Sequence, residues 1–261
     1  MALIAMACYS TSENQKDECL AKTLKSLDET VNFKRHRLML SVNGATEVTK
    51  RIIHNNRDII EKVFWNDDNL GTAEAINLCW KERKEGEHCI KCDDDYVLTK
   101  GESGWVDLME EAIQRLPSIG IIGLKRKDCW ERPYETHEDK HSDLIYLPQI
   151  AGERCIIVEQ CRHIMGTCQM YNSKLLDTIG FLFQNGVVYG HDDVLASWRS
   201  HVAGFKNVFI PYIEIDHIDP GNTPYQGWKE RISGPQGLIV RDIVHEYLRG
   251  ERSVYYNPFE K

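Results

Sequence analysis

The stretch that decides the fold is His88–Val97, which reads HCIKCDDDYV. A short, mainly apolar run ends in three consecutive carboxylates. Asp is a poor strand residue and neighbouring carboxylates repel one another, so such a triplet at a strand end indicates a positive ligand. Sites rich in oxygen ligands suit Mg²⁺ or Mn²⁺. We therefore expect Asp93 and Asp95 to hold a divalent ion that in turn holds a diphosphate, although a solvated acidic turn would explain the triplet taken alone.

The spacing within the triplet gives a more detailed prediction. Residues two apart in a strand share a face, so Asp93 and Asp95 should converge on one ligand while Asp94 points away. Ligands of open α/β sheets bind just outside the carboxyl ends of the strands. We therefore expect the site to lie where this strand ends.

The composition is that of an ordinary globular protein, with 42% hydrophobic and 28% charged residues. The length of 261 residues allows one large α/β domain or two small ones. A net charge of −8 argues against a broad nucleic-acid footprint. Nine cysteines, an odd number, are interpreted as free thiols of a reducing compartment. The sequence has no signal-peptide pattern and no apolar run near 20 residues, so we expect a cytoplasmic protein without a transmembrane segment.

The hydrophobic pattern alternates between short apolar runs and amphipathic segments over the first half of the chain. This alternation predicts a layered, mainly parallel sheet. A polar interval at 125–143 and a more mixed region follow. Strands are predicted at 2–7, 38–42, 63–65, 89–93, 119–124, 144–147, 154–158, 161–171, 208–210 and 212–215, and helices at 17–31, 46–55, 72–82, 104–116, 173–179, 190–203 and 239–248.

A second motif, Asn66–Asn77, reads NDDNLGTAEAIN. Gly71 allows a close backbone approach or a positive φ at a helix start, and Asn69 can cap that helix. Asn77 falls on the inward face, where a polar group must find a partner. A capped helix with one satisfied core Asn is the simpler interpretation.

A third motif, Tyr189–Asp193, reads YGHDD and opens a helix that carries Arg199. Two carboxylates at a helix N-terminus are stabilised by the helix dipole, which is a sufficient structural reason for them. The functional interpretation makes one carboxylate a general base for a hydroxyl proton, with His191 as the rival candidate. Arg199 would pair with an acidic partner.

A fourth motif, Glu214–His217, reads EIDH at the end of a predicted strand. A lone His is more often structural than a ligand. Because the Asp triplet already indicates a cation, His217 becomes a candidate metal ligand.

Taken in chain order, these motifs resemble the GT-A fold of nucleotide-diphospho-sugar transferases, and in particular a family 2-like glycosyltransferase. The matching positions, over roughly residues 2–220, are Asn43-Gly44, the Asn69, Gly71, Ala75 and Asn77 pattern, Asp93–Asp95, the 119–124 strand, Gly166–Cys168, Asp192-Asp193 with Arg199, and His217. The resemblance implies one catalytic domain over 1–261, with a nucleotide-binding half at about 1–124 and an acceptor-binding half at about 125–261 that ends in a helix. Its fold would be a mixed, mainly parallel central sheet flanked by helices.

The resemblance also implies the ligands and the residues that bind them. The donor would be a nucleotide sugar, UDP-linked, with Mn²⁺ or Mg²⁺ as the cofactor. The implied nucleotide-sugar contacts are Ala7, Cys8, Tyr9, Asn43, Asn69, Gly71, Asn77, Asp93 and Asp94, the metal ligands are Asp95 and His217, the catalytic pair is Asp192 and Asp193, and the acceptor contacts are Trp130, Gly166, His191, Arg199 and Trp228.

The chain departs from the family pattern in three places. Asp192 replaces the usual Glu, Asn43 replaces an acidic residue, and the Q-x-x-R-W motif of processive members is missing. The missing motif indicates an enzyme that adds single sugars, and the resemblance implies inversion. We expect a glycan as the acceptor, with a lipid-linked acceptor also compatible with the acidic net charge. Alternatives are a hydroxymethylated DNA base as acceptor, a sugar nucleotidyltransferase, and a non-catalytic carbohydrate-binding protein. The nucleotidyltransferase ranks lower because its expected Gly-rich basic loop is absent at Tyr9–Glu13.

Overall fold

The computed structural model describes residues 1–12, 14, 16–100, 103–127, 143–147, 155–219 and 224–260. Trp130, a predicted acceptor contact, lies outside the described residues, as does most of the polar interval at 125–143. The strands are β1 Ala2–Tyr9, β2 Arg37–Gly44, β3 Lys62–Trp65, β4 His88–Cys92, β5 Tyr96–Lys100, β6 Ile119–Arg126, β7 Asp143–Leu147, β8 Ile156–Cys161, β9 Cys168–Tyr171 and β10 Lys206–His217. The helices are α1 Asp17–Thr30, α2 Glu47–Asn55, α3 Thr72–Trp80, α4 Trp105–Arg115, α5 Ser173–Ile179, α6 Asp192–Val202, α7 Pro224–Ser233 and α8 Gln236–Leu248.

The described strands form a single mixed sheet in the order β3-β2-β1-β4-β9-β6-β10-β8-β7, with β5 paired to β10. The pairs β1–β2, β2–β3, β1–β4 and β6–β10 are parallel. Strand β9 runs antiparallel between β4 and β6. Helices flank the sheet, so the predicted fold class is confirmed. The carboxyl ends of β1, β2, β4 and β10 consequently meet at one edge, and the start of β9 reaches the same edge.

Strand β10 joins two parts of the sheet. Its first part pairs with β6 and β8, and its last part pairs with β5, with a register shift between Ile210 and Glu214. We predicted two separate strands here, and the irregular register explains the break in the pattern. In the last part His217 lies opposite Tyr96, which brings the end of β10 to the Asp triplet. Strand β5 and helix α7 were not predicted.

Alternate residues of the buried strands face two separate cores. In β4, Cys92 belongs to the core beneath α1 and α4, whereas Cys89 belongs to the core beneath α3 and α5. The two thiols have Cys-x-x-Cys spacing but lie on opposite faces of the strand and cannot pair. All eight cysteines in the described part of the chain are free thiols, in line with the prediction. None of the described helices combines the length and apolar character that a bilayer crossing requires.

Candidate functional site

A cleft opens at the edge where the parallel strands end. Its walls combine the loop after β1, the end of β2, the start of α3, the Asp triplet and residues from the segments before α6 and within α7. The lining residues are Ala7, Cys8, Tyr9, Lys16, Asn43, Asn69, Gly71, Thr72, Asp93, Asp94, Asp95, Val188, Tyr189 and Trp228. Every residue predicted to contact the nucleotide sugar, except Asn77, lines this cleft.

The three carboxylates of the triplet line the cleft but have different partners. Strand β4 ends at Cys92, so the triplet lies in a bend where strand alternation no longer applies. Asp94 Oδ2 accepts a hydrogen bond from the backbone N–H of Tyr9 at 3.3 Å, and Asp93 Oδ1 lies 3.5 Å from Lys91 Nζ. Asp94 also lines the cleft, so the prediction that it points away is wrong, whereas the convergence of Asp93 and Asp95 on one ligand stays a prediction.

A candidate cation site is formed by Asp95, His217 and Asp219, whose ligand atoms all lie within 4.8 Å of one another. His217 Nε2 is 3.3 Å from Asp95 Oδ1, and that buried oxygen accepts no hydrogen bond from the described residues. Two carboxylates and an imidazole are ligands that Mn²⁺ and Mg²⁺ accept. The donor set and the unsatisfied oxygen therefore fit a divalent ion. The second ring nitrogen, Nδ1, lies 3.4 Å from a guanidinium nitrogen of Arg126.

Lys16, immediately before α1, reaches into the same group. Its ammonium forms an ion pair with Asp95 and lies 3.7 Å from Asp94 Oδ1 and 3.8 Å from Asp219 Oδ1. Burial opposes the charge of Lys16, but the three carboxylates outweigh it and raise its pKa. Burial likewise opposes ionisation of Asp95, yet His217 and Lys16 hold its pKa well below the usual range. In contrast, burial raises the pKa of Asp94 to about 6.

The start of α6 carries a second carboxylate group. Asp192 is buried, and its Oδ2 lies 3.2 Å from Nζ of the buried Lys91, which is also the partner of Asp93. Burial raises the pKa of Asp192, and the Lys91 charge opposes that rise. Lys91 therefore connects the cleft carboxylate Asp93 to the first residue of α6.

Asp193 is held differently. Its Oδ2 accepts from the backbone N–H of Gly166 at 3.0 Å and lies 3.2 Å from His163 Nε2, while Oδ1 accepts from the N–H of Val194. Burial opposes its charge, but His163, the Lys91 charge and the Val194 N–H hold the pKa of Asp193 well below its usual range. A Cβ at Gly166 would lie 2.7 Å from Lys91 Nζ and 3.3 Å from Asp193 Cβ, so a larger residue would require the Lys91 ammonium to shift. Gly166 thus packs between Lys91 and Asp193 in the carboxylate group at the start of α6.

Tyr189 lies between the two carboxylate groups. Burial raises its pKa, and the charges of Asp93, Asp95, Asp192 and Asp193 all raise it further. The ring also lies 6.1 Å from that of Trp228, and both line the cleft. The triplet and the start of α6 consequently belong to one site.

The loop before α3 is organised by Asn43 and Gly71. Asn43 donates to Gly71 O at 3.1 Å and accepts from Asn66 Nδ2 at 3.0 Å. Gly71 has φ of +83°, and a Cβ there would lie 2.7 Å from the Val188 backbone. Asn69 does not cap the helix as predicted: its Oδ1 accepts from the N–H of Gly71, which is itself the N-cap residue and makes no side-chain cap.

Three other predicted contacts have structural partners instead. Asn77 is buried, donates to Leu182 O and accepts from Leu182 N, so the prediction that it binds the nucleotide sugar is wrong. Arg199 is fully buried and donates to the carbonyls of Ile179, Phe181 and Val254 rather than to an acidic partner or an acceptor. His191 Nε2 lies 3.0 Å from Ser233 O, which ties the start of α6 to α7 and weakens its candidacy as the base.

No family model and no curated protein matches this sequence. Solved structures do resemble it. A mannosyltransferase from Pyrobaculum calidifontis in complex with GDP-Man and Mn²⁺ aligns with TM-score 0.63 and 15% identity over 96% of this chain and 65% of that one. The chain has the GT-A fold.

Two further structures support this GT-A assignment. S. aureus TarS residues 1–349 in complex with UDP aligns with TM-score 0.59 and 14% identity over 83% of this chain and 60% of that one. GalNAc-T7 with UDP, GalNAc and Mn²⁺ aligns with TM-score 0.58 and 12% identity over 83% of this chain and 44% of that one. The chain therefore spans less than two thirds of the length of each of these structures.

Some residues of this candidate site were not anticipated from the sequence. Lys16, Lys91, His163, Tyr189 and Asp219 all contact or adjoin the predicted carboxylates. Lys91 carried a usable signal, because a lysine inside an otherwise apolar strand needs a buried acidic partner. Asp219 stands two residues after His217, at ligand spacing. His163 and Lys16 gave no comparable signal, since only the tertiary fold brings them to the site.

Proposed function

We propose that this protein is a metal-dependent glycosyltransferase that moves one sugar from a UDP-linked donor to an acceptor hydroxyl, with inversion. The observation that carries the proposal is the meeting of Asp95, His217 and Asp219 at the end of a cleft that also exposes Asp93 and Asp94. The GT-A fold supports it, and so do the nucleotide and nucleotide-sugar complexes of the neighbouring structures.

The cleft offers groups suited to a nucleoside diphosphate. Asn43 shapes the cleft wall through its bonds to Gly71 and Asn66, and Asn69 lies beside it. Asp93 can accept hydrogen bonds from sugar hydroxyls, because only about two thirds of its side chain is buried. Asp94 is fixed by the Tyr9 backbone and lies beside Lys16. We propose that the nucleoside lies along β1 and β2, with the diphosphate directed toward Asp95.

Asp95, His217 and Asp219 would hold the divalent ion. Such an ion, when bound, neutralises the charge that develops on the leaving diphosphate. The residues of this chain would then position the donor so that the acceptor hydroxyl attacks from the opposite face of the sugar. One carboxylate at the start of α6 accepts the hydroxyl proton.

Asp193 is the better candidate for this base. Its side chain is 19% exposed, against 7% for Asp192, so it can meet an acceptor more readily. The N–H groups of Gly166 and Val194 fix its orientation, and His163 stands beside it. Asp192 is engaged by Lys91, which suits a role in positioning. Its lower pKa makes Asp193 a weaker base, and orientation has to compensate for that.

For the acceptor we propose a glycan. The rings of Tyr189 and Trp228 form a tilted pair at the cleft, and aromatic faces of this kind commonly pack against sugars. The net charge of −8 does not favour a nucleic-acid acceptor.

The test is calorimetry of UDP and GDP binding with and without Mn²⁺, followed by release of UDP from a panel of UDP-sugars. Wild-type protein should bind UDP more tightly with Mn²⁺ and release it from at least one donor. Asp95→Asn should lose both effects, whereas Asp28→Asn, an exposed substitution of the same chemistry on α1, should retain them.

Several outcomes would contradict the proposal. Absence of any Mn²⁺ effect on UDP binding in wild type would rule out the metal site. UDP binding without turnover, with or without a glycan acceptor, would favour a non-catalytic carbohydrate-binding protein. Pyrophosphate release from UTP and a sugar phosphate would instead favour a nucleotidyltransferase.

A further inference from the structure

Lys16 occupies the position that a bound cation would need. Its side chain is 4% exposed and its ammonium faces three carboxylates, two of which, Asp95 and Asp219, belong to the candidate cation site. Lys16 lies just before α1, and the N–H of Leu20 in the first turn bonds to its carbonyl. Its backbone is therefore anchored at the start of α1, so a movement of the ammonium would have to come from the side chain alone.

An ammonium and a divalent ion compete for the same carboxylates, those of Asp95 and Asp219. Lys16 is the ion-pair partner of Asp95 Oδ2, and Asp219 already has a second ammonium, Lys229 Nζ, at 2.5 Å. Like charges at such short range repel strongly in a buried site. A metal that binds Asp95 must therefore displace the Lys16 ammonium, which then needs another anion. Among the described residues that line the cleft, the carboxylates all belong to Asp93, Asp94 and Asp95.

We propose that Lys16 is an internal counter-ion that makes metal binding depend on the nucleotide. Without ligand it holds the carboxylates together. When a nucleoside diphosphate enters, the Lys16 ammonium would turn from Asp95 to the diphosphate, which would leave Asp95, His217 and Asp219 to hold a divalent ion. This inference rests on the proposed function of the cleft and adds a positioning residue to it.

The coupling is reciprocal by linkage, so UDP should strengthen Mn²⁺ binding by the same factor by which Mn²⁺ strengthens UDP binding. Removing the ammonium should remove much of this coupling. Lys16→Met keeps the length and apolar stem of the side chain and deletes the charge. Lys16→Arg keeps the charge. Lys62→Met is the matched control: Lys62 lies on the edge strand β3, and the substitution deletes its surface ion pair with Glu82.

The measurement is Mn²⁺ binding by calorimetry, repeated by electron paramagnetic resonance of free Mn²⁺, with and without UDP. In the absence of UDP, Lys16→Met should bind Mn²⁺ at least about tenfold more tightly than wild type, and UDP should add less to its affinity. Lys16→Arg and Lys62→Met should behave like wild type. Equal or weaker Mn²⁺ binding by folded Lys16→Met in the absence of UDP would overturn the inference.

Two further arms keep the outcome interpretable. Lys16→Met leaves three carboxylates facing one another and could fail to fold for that reason. In that case Lys16→Gln, which keeps a polar donor, is measured instead, with the same expected and contradicting results. If wild type binds Mn²⁺ with UDP but neither neutral variant binds Mn²⁺ more tightly, only the role of Lys16 fails. If neither wild type nor the variants take up Mn²⁺ in any condition, the proposed function fails.

Discussion

His217 Nε2 lies 3.3 Å from Asp95 Oδ1, although the two residues are far apart in the chain. The contact follows from strand pairing: His217 is opposite Tyr96, and the N–H of Ile218 bonds to Asp95 O at 2.8 Å. The imidazole therefore reaches the carboxylate from a fixed backbone position. This rigidity is what a metal ligand requires, since both donors are in place before the ion arrives.

The first prediction concerns that imidazole. His217→Gln should weaken Mn²⁺ binding in the presence of UDP by at least about tenfold, because it removes one of three candidate ligands while leaving the strand intact. The measurement is calorimetry at saturating UDP. His54→Gln, an exposed substitution at the end of α2, is the control. Unchanged Mn²⁺ affinity in His217→Gln would remove His217 from the ligand set.

Asp193→Asn is expected to abolish proton transfer without disturbing the donor site. The turnover number should fall by about 10²–10⁴-fold, the usual contribution of a general base. The affinity for UDP and Mn²⁺ should stay within a few fold of wild type, because Asp193 does not line the nucleotide cleft. Steady-state kinetics and calorimetry separate the two quantities. Asp242→Asn, on the exposed side of α8, supplies the comparison. Full activity in Asp193→Asn would point to Asp192 or His163 as the base.

Gly71→Ala should destabilise the fold and distort the cleft together. Its φ of +83° with ψ of 176° is a conformation that residues with a Cβ rarely adopt, and the added carbon would lie 2.7 Å from the Val188 backbone. Gly86 has a similar φ of +71°, but a Cβ added there would have no atom within 4 Å, so Gly86→Ala is the control. We expect a loss of unfolding free energy of about 1 kcal/mol in Gly86→Ala and about 2–4 kcal/mol in Gly71→Ala, measured by urea unfolding. Equal losses would show that the contact with Val188 is unimportant.

A fourth prediction concerns pH. His88 Nδ1 accepts a hydrogen bond from the N–H of Ser173 at 2.9 Å, and burial lowers the pKa of His88. The unfolded chain therefore binds a proton near pH 6.5 that the folded protein binds only at lower pH. Above about pH 6.5 His88 therefore does not reduce the free energy of unfolding. This free energy falls as the pH drops from the unfolded-state pKa toward the lower folded-state pKa of His88, by at most about 1.4 kcal/mol per pH unit.

His88→Asn provides the test, because its amide oxygen can accept the same hydrogen bond without titrating. Urea unfolding between pH 7.5 and 5 should show a shallower loss of stability in His88→Asn than in wild type, with similar values at pH 7.5. An identical slope in both proteins would mean that other groups set the acid sensitivity.

The sequence allowed the sheet and the location of the site to be predicted, because alternating strands and helices force the carboxyl ends of β1, β2 and β4 to one edge. It failed where local periodicity stops applying. The position of Asp94 in the cleft, rather than on the opposite face, depends on the strand ending at Cys92. Asn77 and Arg199 share their residue types with ligand-binding side chains, and only the fold reveals that backbone carbonyls satisfy them. Lys16 and His163 could not be predicted, since their partners come from distant parts of the chain.

The dependence of the candidate cation site on β10 has a consequence for how the chain matures. A nascent polypeptide that has emerged only as far as β9 already contains Asp93–Asp95 but neither His217 nor Asp219. During synthesis the triplet must wait for the late strand, with Lys16 as the near basic partner that could screen its charge in the meantime. A site made of all three candidate ligands would therefore require β10 to be synthesised and paired first.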